Sequence, residues 1–115
     1  MGKPVVHFEI GCRDKQKTQQ FYSALFDWSI TEQGPASVIS TEAKAGISGH
    51  ITSLGHEPNN YTIFYVEVDD AAACLKKAES LGGKKLVGPV PIPSGKFAWF
   101  SDPEGNMIGL LERKP

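Results

Sequence analysis

The chain has 115 residues with a formal net charge of −1, 40% hydrophobic residues and 22% charged residues. These are ordinary values for one globular domain, and the absence of a basic excess argues against a nucleic-acid partner. No apolar run approaches the ~20 residues of a membrane span, and the N-terminus lacks the apolar segment of a signal peptide, so we expect a cytoplasmic protein with no membrane partner. Cys12 and Cys74 do not form a CxxC pair, so a zinc knuckle is not expected.

The first half predicts one strand, one helix and three further strands. Residues 5–12 alternate, with Phe8 and Ile10 on one face and His7 and Glu9 on the other. Asp14 is a candidate N-cap for a helix that ends at Leu25-Phe26. One face of this helix carries an apolar stripe that is expected to face the core. The stripe consists of Phe21, Tyr22, Leu25 and Phe26. Short strands are predicted over 28–31, 37–41 and 47–54, before a polar linker over 56–60 that contains His56.

The second half repeats this order. A strand over 61–68 places Ile63, Tyr65 and Glu67 on one face, and Asp69-Asp70 begins a helix that Gly82-Gly83 ends. A strand over 86–90 is expected to be cut short by the prolines at positions 89, 91 and 93. Strands over 96–101 and 107–112 follow, joined by a turn over 102–106 in which proline fixes φ and glycine permits a positive φ.

The two halves are an imperfect repeat with a spacing of 56 positions, which relates Phe8 to Phe64, Asp14 to Asp70 and Leu25 to Leu81. We therefore expect a single domain over 1–115 with two βαβββ modules, about 4–55 and about 60–113. A duplicated module implies an internal cleft, and clefts are where small molecules bind. The same spacing makes His7 and Ile63 equivalent.

Four pieces of the sequence together resemble the vicinal oxygen chelate superfamily, which includes glyoxalase I, bleomycin-resistance proteins and extradiol dioxygenases. They are His7, Asp14 followed by Phe21-Tyr22, the helix from Asp69-Asp70 to Gly82-Gly83, and the closing segment 101–110. The resemblance covers nearly the whole chain. It implies an α+β fold in which two βαβββ modules form a half-open curled sheet around a cleft, and it implies a homodimer.

The metal-using members of that superfamily hold an ion through His, Gln or Glu on the first and last strands of each module. Carried over to this sequence, those places fall on His7, Ile63, Gly109 and either Gly49 or His50, depending on the strand register. Because Ile63 and Gly109 offer no donor atom, the standard metal site is not expected and no cofactor is predicted. A divalent metal would need a rebuilt site, for which His7, Glu9 and His50 are the candidates.

The predicted ligand-binding cleft consists of His7, Glu9, His50, Ile63, Tyr65, Glu67, Trp99 and Gly109. Each buried carboxylate in this set needs a partner, a raised pKa or access to water. Trp28 and Phe97 are further candidates for aromatic walls, although Trp28 can equally belong to the core. The sequence identifies no catalytic residue.

Three functions follow, and we favour the first. The chain can be a small-molecule-binding protein of the glyoxalase or bleomycin-resistance type without the standard metal site, in which case it is not an enzyme. It can be a metal-dependent lyase, isomerase or dioxygenase with a rebuilt site at His7, Glu9 and His50. It can also be a dimeric interaction module whose vestigial cleft is filled by its own side chains.

Overall fold

The computed structural model describes residues 2–34, 36–53 and 60–114. The chain divides into two compact units, residues 7–63 and residues 1–6 with 64–115, which we call the N-terminal and C-terminal units. The predicted linker over 56–60, with His56, lies outside the described residues except for Asn60. Within the described ranges no helix is long and apolar enough to cross a membrane.

The first module consists of one helix and four strands. Its elements are β1 (Val5–Gly11), α1 (Lys15–Phe26), β2 (Ser29–Gln33), β3 (Ala36–Ser40) and β4 (Gly49–Thr52). The strands lie in the order β2-β3-β4-β1, with β1 parallel to β4 and the other pairs antiparallel. The parallel pair places the chain's first strand beside the last strand of the same module.

The second module repeats this arrangement. Its elements are β5 (Tyr61–Glu67), α2 (Ala71–Ser80), β6 (Lys84–Ile92), β7 (Gly95–Ser101) and β8 (Met107–Arg113). The order is β5-β8-β7-β6, with β5 parallel to β8. The predicted α+β class with two βαβββ modules is therefore confirmed.

Both helices begin as predicted, because an aspartate caps each of them. The side chain of Asp14 accepts a hydrogen bond from the backbone N–H of Lys17, and that of Asp70 accepts one from Ala73. Each cap satisfies an amide that has no partner within the first turn.

Each helix packs on a small apolar cluster at one face of the strands of its own module. In the N-terminal unit, Tyr22 of α1 packs against buried Cys12, Ile39 and Ile51. In the C-terminal unit, α2 contributes Ala71 and Leu75 to the cluster that also contains Val68, Ala98 and Leu110. The side chains on the opposite face of these strands are therefore available to form a site.

The predicted core stripe of α1 is wrong for three of its four residues. Phe21, Leu25 and Phe26 are 58%, 57% and 52% exposed, and only Tyr22 packs into the cluster.

The prediction that prolines cut the sixth strand short is also wrong. β6 runs from Lys84 to Ile92, through Pro89 and Pro91. Among the strands of the described residues it pairs with β7 alone, and it shifts register on both sides of Val87. An edge strand tolerates proline because one row of its backbone amides needs no partner in the sheet.

The turn before β8 is held by one carboxylate. Asp102 accepts hydrogen bonds from the backbone N–H groups of Glu104 and Asn106, and from the side-chain amide of Asn106. The bonds from Asn106 hold the pKa of Asp102 below its usual value. The folded state therefore favours the ionised form of this side chain.

We expect Asp102→Ala to be less stable than the unmodified chain at neutral pH, with a difference that narrows as the pH falls. The ionised Asp102 carboxylate contributes its full stabilisation above the ordinary aspartate pKa of about 3.9. This stabilisation is lost as the pH falls through the lower pKa that Asp102 has in the folded state. Urea unfolding at several pH values between neutrality and acid measures this. A difference that stays constant or widens in acid contradicts the role assigned to the carboxylate. Asp69→Ala is the matched control, since the side chain of this aspartate is almost fully exposed and its ion pair with Lys3 is long, at 3.7 Å.

Candidate functional site

The register of β4 brings His50, rather than Gly49, to the face of His7 and Glu9. In the parallel pair β1–β4, Glu9 lies opposite His50 and Phe8 lies opposite Gly49. Paired residues on neighbouring strands point to the same face, and residues two apart along a strand share that face. His7, Glu9 and His50 therefore belong to one group, which answers the question that the sequence left open.

These side chains form a continuous chain of polar contacts in the N-terminal unit. His7 Nε2 lies 2.7 Å from His50 Nδ1, and His50 Nε2 lies 3.2 Å from Glu9 Oε1. The Tyr61 hydroxyl donates a hydrogen bond to Glu9 Oε2. We call His7, His50, Glu9 and Tyr61 the polar chain.

The carboxylate of Glu9 is buried, so the polar chain must supply it with hydrogen-bonding partners. Glu9 is only 5% exposed, and a buried carboxylate is stable only with close partners. His50 and Tyr61 supply them, one at each carboxylate oxygen. Burial, followed by the hydrogen bond to Glu9 and the charge of Glu9, raises the pKa of Tyr61 well above its usual range, so the hydroxyl stays protonated and donates.

Tyr61 was not among the residues selected from the sequence. It shares the alternation of Ile63 and Tyr65, which is the signal that could have found it. Its ring packs directly on Gly11, where a Cβ atom would overlap the ring carbons. The glycine therefore allows the close approach that brings the tyrosine hydroxyl to Glu9.

In the C-terminal unit, aromatic side chains lie where the repeat would place the counterpart of the polar chain. Gly109 lies opposite Tyr65 on β5 and opposite Trp99 on β7. A Cβ at Gly109 would lie 2.5 Å from Tyr65 Cδ2, so the tyrosine ring covers the glycine directly. Trp99 Nε1 donates a 2.8 Å hydrogen bond to the Tyr65 hydroxyl, and the two residues are 3% and 5% exposed.

The repeat makes these two arrangements directly comparable. Glu9 pairs with His50 in the first module as Tyr65 pairs with Gly109 in the second, and Glu9 and Tyr65 are 56 positions apart. His50 and Gly109 are therefore equivalent, as His7 and Ile63 are. The first module carries two imidazoles at positions where the second carries isoleucine and glycine.

The remaining predicted site residues are buried, paired with a neighbouring charge or packed in the core. Ile63 is 3% exposed within the N-terminal unit. Glu67 forms a 2.6 Å ion pair with Arg113, and its side chain is 38% exposed. Trp28 packs with Phe8 and Tyr22 on the helix side of its sheet, so it belongs to the core.

The donor atoms do not fit the four-ligand arrangement of the metal-using members, because Ile63 and Gly109 contribute none. The polar chain also does not converge on one point, since His50 contacts His7 through Nδ1 and Glu9 through Nε2. Over residues 2–34, 36–53 and 60–114, no three His, Cys, Asp or Glu side chains are grouped to hold a metal ion.

Residues 5–110 match the model of the Glyoxalase/Bleomycin resistance protein/Dioxygenase superfamily. The chain belongs to this superfamily, as the repeat and the motifs indicated.

The relatives differ in length and in how much of this chain they match. A glyoxylase-like domain-containing protein of Didymella fabae is 30% identical over 118 residues, covering 91% of this chain and 90% of that protein. A putative glyoxylase of Mycobacterium tuberculosis is 41% identical over 59 residues, covering 50% of this chain and 22% of that protein. An anthracycline biosynthesis protein of Streptomyces peucetius is 28% identical, covering 92% of this chain and 46% of that protein. The chain thus spans less than half the length of these last two relatives.

Solved structures support the fold alone, because their identity to this chain is low. Methylmalonyl-CoA epimerase from Mycobacterium tuberculosis has a TM-score of 0.72 at 12% identity and covers 96% of this chain and 88% of that chain. Streptomyces coelicolor methylmalonyl-CoA epimerase in complex with 2-nitronate-propionyl-CoA has a TM-score of 0.68 at 16% identity, covering 98% of this chain and 99% of that chain.

Proposed function

We propose that this chain binds a small organic molecule through the polar chain and does so without the standard metal site. The observation that carries the absence of the standard metal site is the packing at Gly109, where the Tyr65 ring covers a glycine that has no donor atom. Restoring a carboxylate there would require the Tyr65 ring and its bond to Trp99 to move. The second module thus has tight aromatic packing at the position where the metal-using members offer a ligand.

The first module retains groups that suit recognition of a hydroxyl-bearing ligand. His7 and His50 are only partly buried, and their ring nitrogens can donate or accept according to the tautomer. Glu9, held between His50 and Tyr61, fixes the position of the His50 ring. A fixed, partly exposed imidazole pair is a small number of well-placed polar groups, which is what gives orientation in a small-molecule site.

Metal analysis and an NMR titration together distinguish a metal site from a site that recognises hydroxyl groups. We expect the purified chain to hold much less than one equivalent of Zn, Ni, Mn or Fe, with the same content in His7→Ala. We expect resorcinol, but not 1,3-dimethoxybenzene, to shift the NMR signals of the His7 and His50 rings. Near one equivalent of metal that is lost in His7→Ala overturns the proposal, as does an equal response to both phenyl compounds.

The second candidate is a metal-dependent lyase, isomerase or dioxygenase with a site at His7, Glu9 and His50. The observation that favours it is the pair of contacts that His50 makes, one with His7 and one with Glu9. A cation would have to displace at least one of the two bonds made by His50. Calorimetric titration with zinc chloride tests it, and stoichiometric binding that is abolished in both His50→Ala and Glu9→Gln supports it.

The third candidate is an interaction module with a vestigial cleft. It is favoured by the near-complete burial of Tyr65 and Trp99, whose polar atoms bond to each other. It predicts no response to either phenyl compound at millimolar concentration.

The homodimer implied by the resemblance remains part of the proposal. Sedimentation equilibrium of the purified chain tests it, and a mass that stays at the monomer value of 12.5 kDa at every concentration contradicts it.

A further inference from the structure

We infer that a second site, beside α1 in the N-terminal unit, binds a flat aromatic compound that carries one anionic group. A cavity of about 600 Å³ lies there, within the range of about 300–1,000 Å³ typical of small-molecule sites. It lies between α1 and the ends of two strands. Its lining residues are Ile10, Gly11, Cys12, Lys17, Thr18, Phe21, Tyr22, Asn60, Tyr61 and Thr62.

Three of these lining residues are aromatic, and the structure fixes at least two of the rings. The Tyr61 ring is held on Gly11 and by its hydroxyl at Glu9. Tyr22 stacks on Trp28 at a centroid distance of 5.5 Å and meets Phe21 edge-on at 5.1 Å. Rigid aromatic walls favour a flat, aromatic ligand because ring contacts are gained without ordering the walls.

Phe21 supplies a reason for such a ligand to bind. Its side chain is 58% exposed although it borders the cavity. Covering an exposed aromatic side chain removes apolar surface from water and is favourable in proportion to the area covered. An aromatic ligand seated between Phe21 and Tyr61 would cover that surface.

The charge at the cavity selects an anion. Lys17 is the sole charged residue among the described residues that line it. Asp14, which lies one turn earlier on the chain, uses its carboxylate to accept the backbone N–H of Lys17 as the helix cap. Asn60 and Thr62 add neutral hydrogen-bonding groups at the same cavity. The cation of Lys17 therefore has the strongest influence on which ligand charge is accepted.

This site goes beyond the proposed function, since His7 and His50 do not line the cavity. Tyr61 belongs to both, since its ring forms a wall of the cavity and its hydroxyl ends the polar chain. The amide signals of Gly11, Thr18 and Thr62 report on the cavity, whereas the ring signals of His7 and His50 report on the polar chain.

The test uses 1-naphthoate and its neutral analogue 1-naphthylmethanol with the ¹⁵N-labelled full chain. We expect both to shift the backbone amide signals of Gly11, Thr18 and Thr62, with 1-naphthoate binding more tightly. Lys17→Met should weaken 1-naphthoate roughly two- to fivefold and leave 1-naphthylmethanol unchanged, which is the range of a partly exposed ion pair. Added salt should weaken 1-naphthoate alone.

Lys15→Met is the matched control, because Lys15 lies on the same helix, bonds to the Gly34 carbonyl and does not line the cavity. It should leave both affinities unchanged. Thr18→Phe should fill the cavity and abolish both. If that variant does not fold, the Lys17 and Lys15 pair still decides the outcome. Equal effects of the two lysine substitutions, or amide shifts confined to His7 and His50, would overturn the inference.

Discussion

Replacing Glu9 with alanine should lower the free energy of unfolding by about 2 kcal/mol, within the range of about 1–3 kcal/mol for leaving a buried hydrogen-bonding group without its partner. Glu9 is 5% exposed and has a different partner at each carboxylate oxygen. Its loss removes the acceptor of the Tyr61 hydroxyl and the partner of His50 Nε2 together. Glu9→Gln keeps one acceptor oxygen and should therefore be less destabilising. Urea unfolding at pH 7 measures both.

Glu67→Ala is the matched control for this prediction. Glu67 also lies on the first strand of its module and also has an ionic partner, Arg113. Its side chain is 38% exposed, so its pair is screened by water and should contribute at most about 1 kcal/mol. If the two alanine variants lose equal stability, the polar chain does not have the buried character that the structure gives it.

Replacing Gly109 with alanine should destabilise the chain by about 1–3 kcal/mol, the usual cost of adding a methyl group to a filled interior. The added Cβ would lie 2.5 Å from Tyr65 Cδ2 and 2.6 Å from Cε2, so the ring would have to move. That movement would also disturb the hydrogen bond from Trp99. Thermal and urea unfolding measure the loss.

A double-mutant cycle separates this overlap from any general cost of replacing the glycine. In a Tyr65→Val background the ring carbons are absent, so Gly109→Ala should cost at least about 0.5 kcal/mol less than in the unmodified chain. Gly2→Ala is the control, since a Cβ there meets nothing within 4 Å. Additive effects at positions 65 and 109 would show that ring packing is not the reason for the glycine.

The sequence was sufficient for the architecture because local patterns and the repeat agree. Alternating strands, aspartate caps and the 56-residue spacing led to two βαβββ modules, and the structure has them. The same patterns were insufficient for α1, where Phe21 and Leu25 have helical spacing and are nevertheless exposed. Periodicity shows that a helix has an apolar stripe, but how much of the stripe is covered depends on the strands beneath it.

For the candidate site, too, the sequence predicted one part and the tertiary structure was needed for the other. The type of side chain at each position was readable, so the sequence by itself determined that Ile63 and Gly109 bring no donor to a metal. Whether His50 or Gly49 faces Glu9 depended on strand register, and a shift of one residue turns every side chain of a strand to the other face. Tertiary structure alone decided that His50 joins His7 and Glu9.

Close approach between distant residues was likewise beyond the sequence. Nothing local to Gly11 or Gly109 indicates that a tyrosine ring lies on each, because the rings come from β5, more than 40 positions away in both cases. The sequence determined the repeated modules and the absence of donor atoms at Ile63 and Gly109. The tertiary structure decided how Gly109 is packed and which side chains complete the polar chain, because both depend on contacts between strands that are remote along the chain.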